Sequence, residues 1–521
     1  MIRRLLGSLI VLVWLGMVGW QIREEYFQPE LARLAAATLS LAPGVSFYTL
    51  TMGDRTVGQA TSRLDTLPDG FELEDLLTLE LPALGQTGTA VARTRVKMSP
   101  ALVMEEFSFS MASEVGRFEA SGVLGADTTL RVTINSGGED QTLEFRLPQP
   151  PVFSSVLPIR VAMGEGLEVG KSYRYPVFDP ASMSTRPVEV RILDQDTLIV
   201  PDSASLDPEA GRWLPASYDT IPAWKIAEIF GGVQIESWVD EDGRILEASS
   251  PLGFSMRKTE YELARQAQED ARLTSTSPVD DDIILSTAVQ SNVDLSDAAE
   301  FQEIRFRLRG VDLAGFQLDG GRQRLVGDTL IIRREDWDSL DPGYQLPYVH
   351  MDLNEALEPE PLIQSDDPRI VDLARQITAK RSEWRQDPKR VARQLTTAVY
   401  NLLDKSITFS VPSAIQVLET RRGDCNEHTV LYVALARALG LPARTAVGLV
   451  YVNGAFFYHA WPEVWLGEWV AVDPTFGQVP ADASHLRFIV GGLAQQVEIL
   501  RLIGNLQIDV IDRVPVAATA P

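Results

Sequence analysis

Three side chains near the C-terminal end have the types needed for acyl transfer: Cys425, the only cysteine of the chain, then His459, then Asp473. A thiol attacks a carbonyl carbon efficiently when a base takes its proton, and an imidazole serves as that base when a carboxylate fixes its tautomer and orientation. The surrounding sequence says how they would be carried. Asp424 can cap a helix and Glu427, three residues on, can reach back to complete a capping box, so Cys425 becomes the first helical residue. The apolar run Val430, Leu431, Val433, Leu435, Ala436, Ala438 and Leu439 is broad enough to bury the helix on most sides, and Gly440 with Pro442 ends it. The thiol then sits at the positive end of a buried helix, a place that by itself favours thiolate.

Alternating apolar and polar residues predict strands at Arg444–Val452, His459–Trp465 and Trp469–Asp473. The last two would form a hairpin. With Leu466-Gly467-Glu468 as its loop, Trp465 faces Trp469, Trp461 faces Asp473 and His459 faces Thr475, which sets His459 and Asp473 on one face at roughly 7–8 Å between backbones. A two-residue loop would put them on opposite faces.

The segment Gly423-Asp424-Cys425-Asn426-Glu427-His428, a buried helix ending in Gly440-Leu441-Pro442-Ala443-Arg444, then His459-Ala460-Trp461-x-Glu463-Val464-Trp465 and Trp469-Val470-x-Val472-Asp473-Pro474, resembles the core of the transglutaminase-like superfamily, whose fold is papain-like. The resemblance covers about the last third of the chain. It implies that Cys425 is the nucleophile, His459 the general base and acid, and Asp473 the orienter, with no metal or organic cofactor. It also implies a thioester intermediate formed from an amide of a protein or peptide, resolved by water in a peptidase or by an amine in acyl transfer. The superfamily includes protein cross-linking enzymes, peptidases, deglycosylating amidases and inactive members, so the alternative is a catalytically inactive envelope scaffold or binding protein on the same fold.

Neighbouring residues read more plainly. Trp461, Trp465 and Trp469 suit packing of the sheet, with Trp461 also placed to wall the site, and Arg444 reads as a strand-edge residue. His428 shares a helix face with Cys425. A Cys-x-x-His pair with His459 could hold zinc, but structural zinc sites usually bring more cysteines. His350 and His485 fall in no pattern.

The chain has 521 residues, a formal net charge of −25 and 45% hydrophobic residues. That length holds several domains, and the acidic balance argues against nucleic-acid binding. One cysteine allows no intramolecular disulfide, so bridges say nothing of compartment. At the N-terminus, two arginines precede an uncharged run from Leu5 to Ile22, about 18 residues or roughly 27 Å of helix, near the thickness of a bilayer core. The flanking charges place the N-terminus in the cytoplasm. A cleaved signal peptide would be shorter and end in a small-x-small site, which is missing. The expectation is a single-pass inner-membrane anchor with the C-terminal body in the periplasm.

Between anchor and core the texture changes several times. Residues 24–44 read as a helical stalk, and 45–273 as an antiparallel β-rich domain with a clear Asp-Gly hairpin around Asp242-Gly243 and a helix at its end. Residues 274–355 read as a linker and smaller β module. The pattern turns helical from Asp367, with Pro368 and Pro388 each placed as a first helical residue behind an Asp cap, and the catalytic domain is expected over 356–510, its sheet completed by strands after Gly477. The fold class expected is α+β: a papain-like, transglutaminase-like core at the C-terminus, preceded by antiparallel β-rich domains and a transmembrane helix.

Overall fold

A computed structural model of the chain describes residues 30–516 apart from 84–85, 138–139, 181–182, 231–232, 252, 275–286, 380–385, 409 and 503. The expected transmembrane segment lies outside the described residues. Among these, no helix is long and apolar enough to cross a membrane.

The β-rich region forms one fifteen-stranded sheet. Eight strands run in chain order from Gly44–Met52 to Gln141–Arg146, each antiparallel to the last. Seven more, from Val152–Phe153 to Phe254–Thr259, are joined to them where Gly44–Met52 pairs with Phe254–Thr259. The sheet curls on itself. Phe107, mid-way along one half, meets Phe178 and Phe153 of the far edge at ring distances of 5.2 and 5.5 Å. A strongly twisted sheet of this width must curl or split to cover its apolar face. Here the inward residues Val96, Leu130, Val188 and Ile226 close around one core, into which the Leu157–Gly164 helix also packs. The hairpin expected at Asp242-Gly243 is present, with Val239 opposite Ile245 and Gly243 at φ +81°.

A four-stranded sheet follows, made of Phe301–Arg309, Gln323–Val326, Thr329–Arg333 and Gln507–Pro515. The last of these strands was expected in the catalytic sheet. It instead pairs with Phe301–Arg309 because its alternating Ile508 and Val510 join the core around Ile304 and Phe306.

The sheet of the C-terminal domain has the order Val289–Gln290, Ala455–Trp465, Ala443–Val452, Leu486–Val490, with Trp469–Ala471 also pairing Ala455–Trp465. The helix Cys425–Ala438 lies against it, and three more, Pro368–Thr378, Pro388–Leu402 and Ala414–Thr420, pack around that helix. Asp367, Asp387 and Ser413 cap the first three as their side-chain oxygens accept backbone N–H groups at the helix starts. Ile370, Val391, Leu395 and Val399 surround Leu431, Tyr432 and Leu435, so the cysteine helix is enclosed. Gly440, at φ +73°, ends it close against Pro347, where a Cβ would lie 2.3 Å from the proline side chain.

Candidate active site

The start of the cysteine helix is built as its sequence requires. Asp424 Oδ1 accepts the Asn426 N–H at 2.9 Å, and Glu427 Oε2 accepts the Asp424 N–H at 2.9 Å, closing the capping box. Glu427 Oε1 is held in turn by the hydroxyls of Thr408 and Ser410, at 2.7 and 2.9 Å. Cys425 is thereby fixed as the first helical residue, half-buried, beside the strand that carries His459.

The hairpin parity is as expected. Trp465 pairs Trp469 and Glu463 pairs Ala471 around the Leu466-Gly467-Glu468 loop, with Gly467 at φ +86°. The Val472 N–H then bonds the Pro462 carbonyl at 3.0 Å, and the chain turns so that Asp473 bridges Gln478. His459 Nε2 donates to Asp473 Oδ2 at 2.7 Å, both groups buried. With Nε2 committed, Nδ1 is the nitrogen left for a reacting proton. The ring is held on both faces, stacked on Phe476 at 5.0 Å and on Trp461 at 5.9 Å. Trp461 is wholly buried and so walls the site as well as packing the sheet.

Asp473 accepts four hydrogen bonds. Its Oδ1 takes the N–H groups of Thr475 and Phe476 at 2.7 and 3.0 Å, and its Oδ2 takes His459 and, at 2.9 Å, His485 Nε2. Burial opposes its charge, but the two histidines outweigh it and hold the carboxyl far below the usual range. His485 is the member that sequence reasoning missed. Its other nitrogen, Nδ1, lies 3.1 Å from Asp482 Oδ1, so both ring nitrogens face carboxylate oxygens. Burial pulls its pKa down, yet the Asp482 charge and the bonds to both carboxylates push it up to about 9. The nearest sequence signal was Asp482 three residues before it, a local turn pair that gave no hint of Asp473, twelve positions upstream.

Cys425 departs from one expectation. Burial pushes its thiol well above the ordinary range, and the Asp424 charge adds to this, while the nearby backbone of Ala460, the next residue after His459, pulls the other way. The helix end alone favours thiolate, but enclosure and acidic neighbours outweigh it. Among the described residues the thiol has no hydrogen bond to His459.

His459, Asp473 and His485 bring ligand atoms within 4.8 Å of one another, a grouping that metals also use. The Nε2 atoms of both histidines are the ones that meet Asp473 Oδ2. His428 stands apart, its Nδ1 2.6 Å from the Asp424 carbonyl. Its Nε2, with Trp461 Nε1 and Thr475 Oγ1, is buried without a hydrogen-bond partner among the described residues. Arg444 is not a simple edge residue. Glu463, 1% exposed, accepts from Arg444 at 2.6 Å and from Arg487 at 2.9 Å, which ties the histidine strand to its neighbour Ala443–Val452 and to Leu486–Val490 one strand beyond.

Residues 371–474 match the model of the transglutaminase-like superfamily, so this segment is a transglutaminase-like domain. No curated protein matches the chain. Solved structures similar to parts of it include a candidate cysteine protease from Cytophaga hutchinsonii, 18% identical over 40% of this chain and 83% of that one, with a TM-score of 0.27. A β-barrel-like protein of unknown function from Brucella abortus is 15% identical over 42% and 94%, with a TM-score of 0.29. The periplasmic domain of TgpA from Pseudomonas aeruginosa, bound to ethylmercury, is 19% identical over 37% and 76%, with a TM-score of 0.23.

Proposed function

We propose that the chain is a membrane-anchored, transglutaminase-like cysteine enzyme that acts on amide bonds of a protein or peptide through a thioester. The observation that carries this reading is the Asp473 carboxylate. Saturated by four donors, it holds His459 by Nε2 and leaves Nδ1 free on the strand that packs against the Cys425 helix.

The chemistry follows from these groups. His459 Nδ1 takes the thiol proton as the Cys425 sulfur attacks the carbonyl carbon. The resulting oxyanion meets backbone N–H groups at the start of the cysteine helix. Collapse breaks the C–N bond, the departing amine leaves with the proton from His459, and a thioester remains. Water, activated by the same imidazole, releases an acid and restores the thiol; an amine in its place forms a new amide. Because the resting thiol is raised, proton removal is coupled to attack.

The reading extends to the rest of the chain. Residues 1–23 anchor it in the bacterial inner membrane; the helix Glu30–Ala37 is not the free-standing stalk expected, because Leu34 and Leu41 pack into the core of the large sheet and Thr38 Oγ1 donates to the Pro100 carbonyl at 2.6 Å. The β-rich domain of 45–273 and the module of 274–355 stand in the periplasm with the catalytic domain of 356–510. Deleting residues 5–22 should move the protein from the membrane to the soluble fraction; retention at the membrane would remove the anchor from the account. A raised thiol is also what a catalytically silent envelope scaffold would carry, and one experiment separates the two. Incubation of the full chain with an activated peptide ester should give an adduct of acyl mass on Cys425, absent in Cys425→Ala and consumed faster when a primary amine is added. A scaffold would form no adduct.

A further inference from the structure

A cavity of about 340 Å³ lies between the large sheet and the catalytic domain. Phe118, Ile134 and Met183 of the sheet region form its far wall. On the near side it is bounded by Asn426, the residue after Cys425, by Thr429 one turn on, and by Ala460, the residue after His459, whose carbonyl accepts from Thr429 Oγ1 at 3.0 Å. The cavity therefore shares its near wall with the nucleophile. Its size is at the small end of ligand sites, enough for one large side chain.

The lining specifies what would enter. Most of it is apolar, and among the described residues Glu360 is the single charged side chain that bounds it. That charge is already answered, because Glu360 Oε1 accepts from Arg437 Nη1 at 2.8 Å. A charged group would enter without a counterion and lose its hydration, whereas an apolar group loses nothing and releases water. Neutral amides stand at the end nearest the thiol, where Tyr458 Oη lies 3.2 Å from Asn426 Oδ1 and 3.4 Å from Gln496 Oε1. They suit a peptide backbone running past the site.

The far wall is fixed in place. Ser413 Oγ donates to the Ser136 carbonyl at 2.6 Å in a buried contact. Gly116 comes so close to Gln416 that a Cβ there would overlap the Gln416 side-chain nitrogen. The sheet is thus seated directly on the segment that leads into the cysteine helix.

We propose that this cavity receives an uncharged, apolar side chain of the acyl donor beside the scissile bond, and that the large sheet serves the enzyme by supplying one wall of the substrate site. The inference rests on Cys425 being the nucleophile proposed above.

The test uses dipeptidyl chloromethyl ketones, which alkylate a cysteine by forming an S–C bond and expelling chloride. Probes carry leucine or glycine at either of the two positions nearest the ketone, and each rate on the full chain is divided by that of iodoacetamide on the same protein. Leucine at one position should be favoured over glycine by roughly tenfold or more. Met183→Trp, which fills the cavity, should erase that preference, and Met183→Ala, which enlarges it, should raise the relative rate of a naphthylalanyl probe. Equal rates for leucine and glycine at both positions, or a preference that neither variant alters, would overturn the cavity as a subsite while leaving the nucleophile intact. Failure of every reagent, iodoacetamide included, to label Cys425 of the unaltered protein would overturn both.

Discussion

At the scale of single residues the site is an alternating chain of charges and protons: thiol, imidazole, Asp473, His485, Asp482. His485 has a sign that can be checked. Its folded pKa of about 9 lies above the ordinary 6.5, so the stability it contributes is fully present below about 6.5 and is lost as pH rises through about 9. The shift corresponds to on the order of 3 kcal/mol. Thermal unfolding of the full chain should show stability falling across that window, and His485→Gln should flatten the slope; an unchanged slope would mean that the imidazolium does not sit between the two carboxylates. Cys425, His459 and Asp473 were legible in the sequence because each lies in a local pattern, a capped helix start or a strand of fixed parity. His485 was not, because its link to Asp473 is made by the fold after a turn through Gln478 and Asp482. The thiol's raised pKa was equally out of reach. The sequence shows the helix end but not the enclosure that outweighs it.

At the scale of elements, the hairpin loop does the positioning. Strand side chains alternate faces, so a change of one residue in Leu466-Gly467-Glu468 turns one strand over relative to the other. Deleting Glu468 should therefore separate His459 from Asp473 and bring Cys425 modification by a peptidyl electrophile down at least a hundredfold, the scale of a lost general base. Retained reactivity would show that Asp473 is not held by this register. The capping box is a second element-scale device. Asp424→Ala removes the acceptor for Asn426 N–H and should cost about 1 kcal/mol in chemical denaturation. It should also ease thiolate formation, since the Asp424 charge opposes it. A pH–alkylation curve unmoved or displaced upward would contradict that electrostatic reading. These two elements could be drawn from sequence because loop length and cap chemistry are local. The small edge strand Val289–Gln290, which pairs with Phe456 and Ala455, could not: two residues carry no periodicity, and their partners lie far along the chain.

At the scale of the whole molecule, the alternation in 45–273 announced strands without saying how many sheets they make. The joining pair, Gly44–Met52 with Phe254–Thr259, spans some two hundred residues, and only burial of the shared core decides it. The contact between sheet and core is a testable coupling. Ser413 both caps its helix and reaches the Ser136 carbonyl. Ser413→Ala should cost about 1–2 kcal/mol and let the sheet and the core unfold as separate transitions, whereas a single unshifted transition would mean that the interface carries no stability. The account as a whole stands on His459 as the base for Cys425. The measurement that reaches it most directly is the pH–rate profile for inactivation of the full chain by a neutral peptidyl fluoromethyl ketone, compared between the unaltered protein and His459→Gln. The account predicts that the variant is slower by about a hundredfold or more near neutrality and regains rate only as the pH approaches that of the isolated, raised thiol. Superimposable profiles would contradict it.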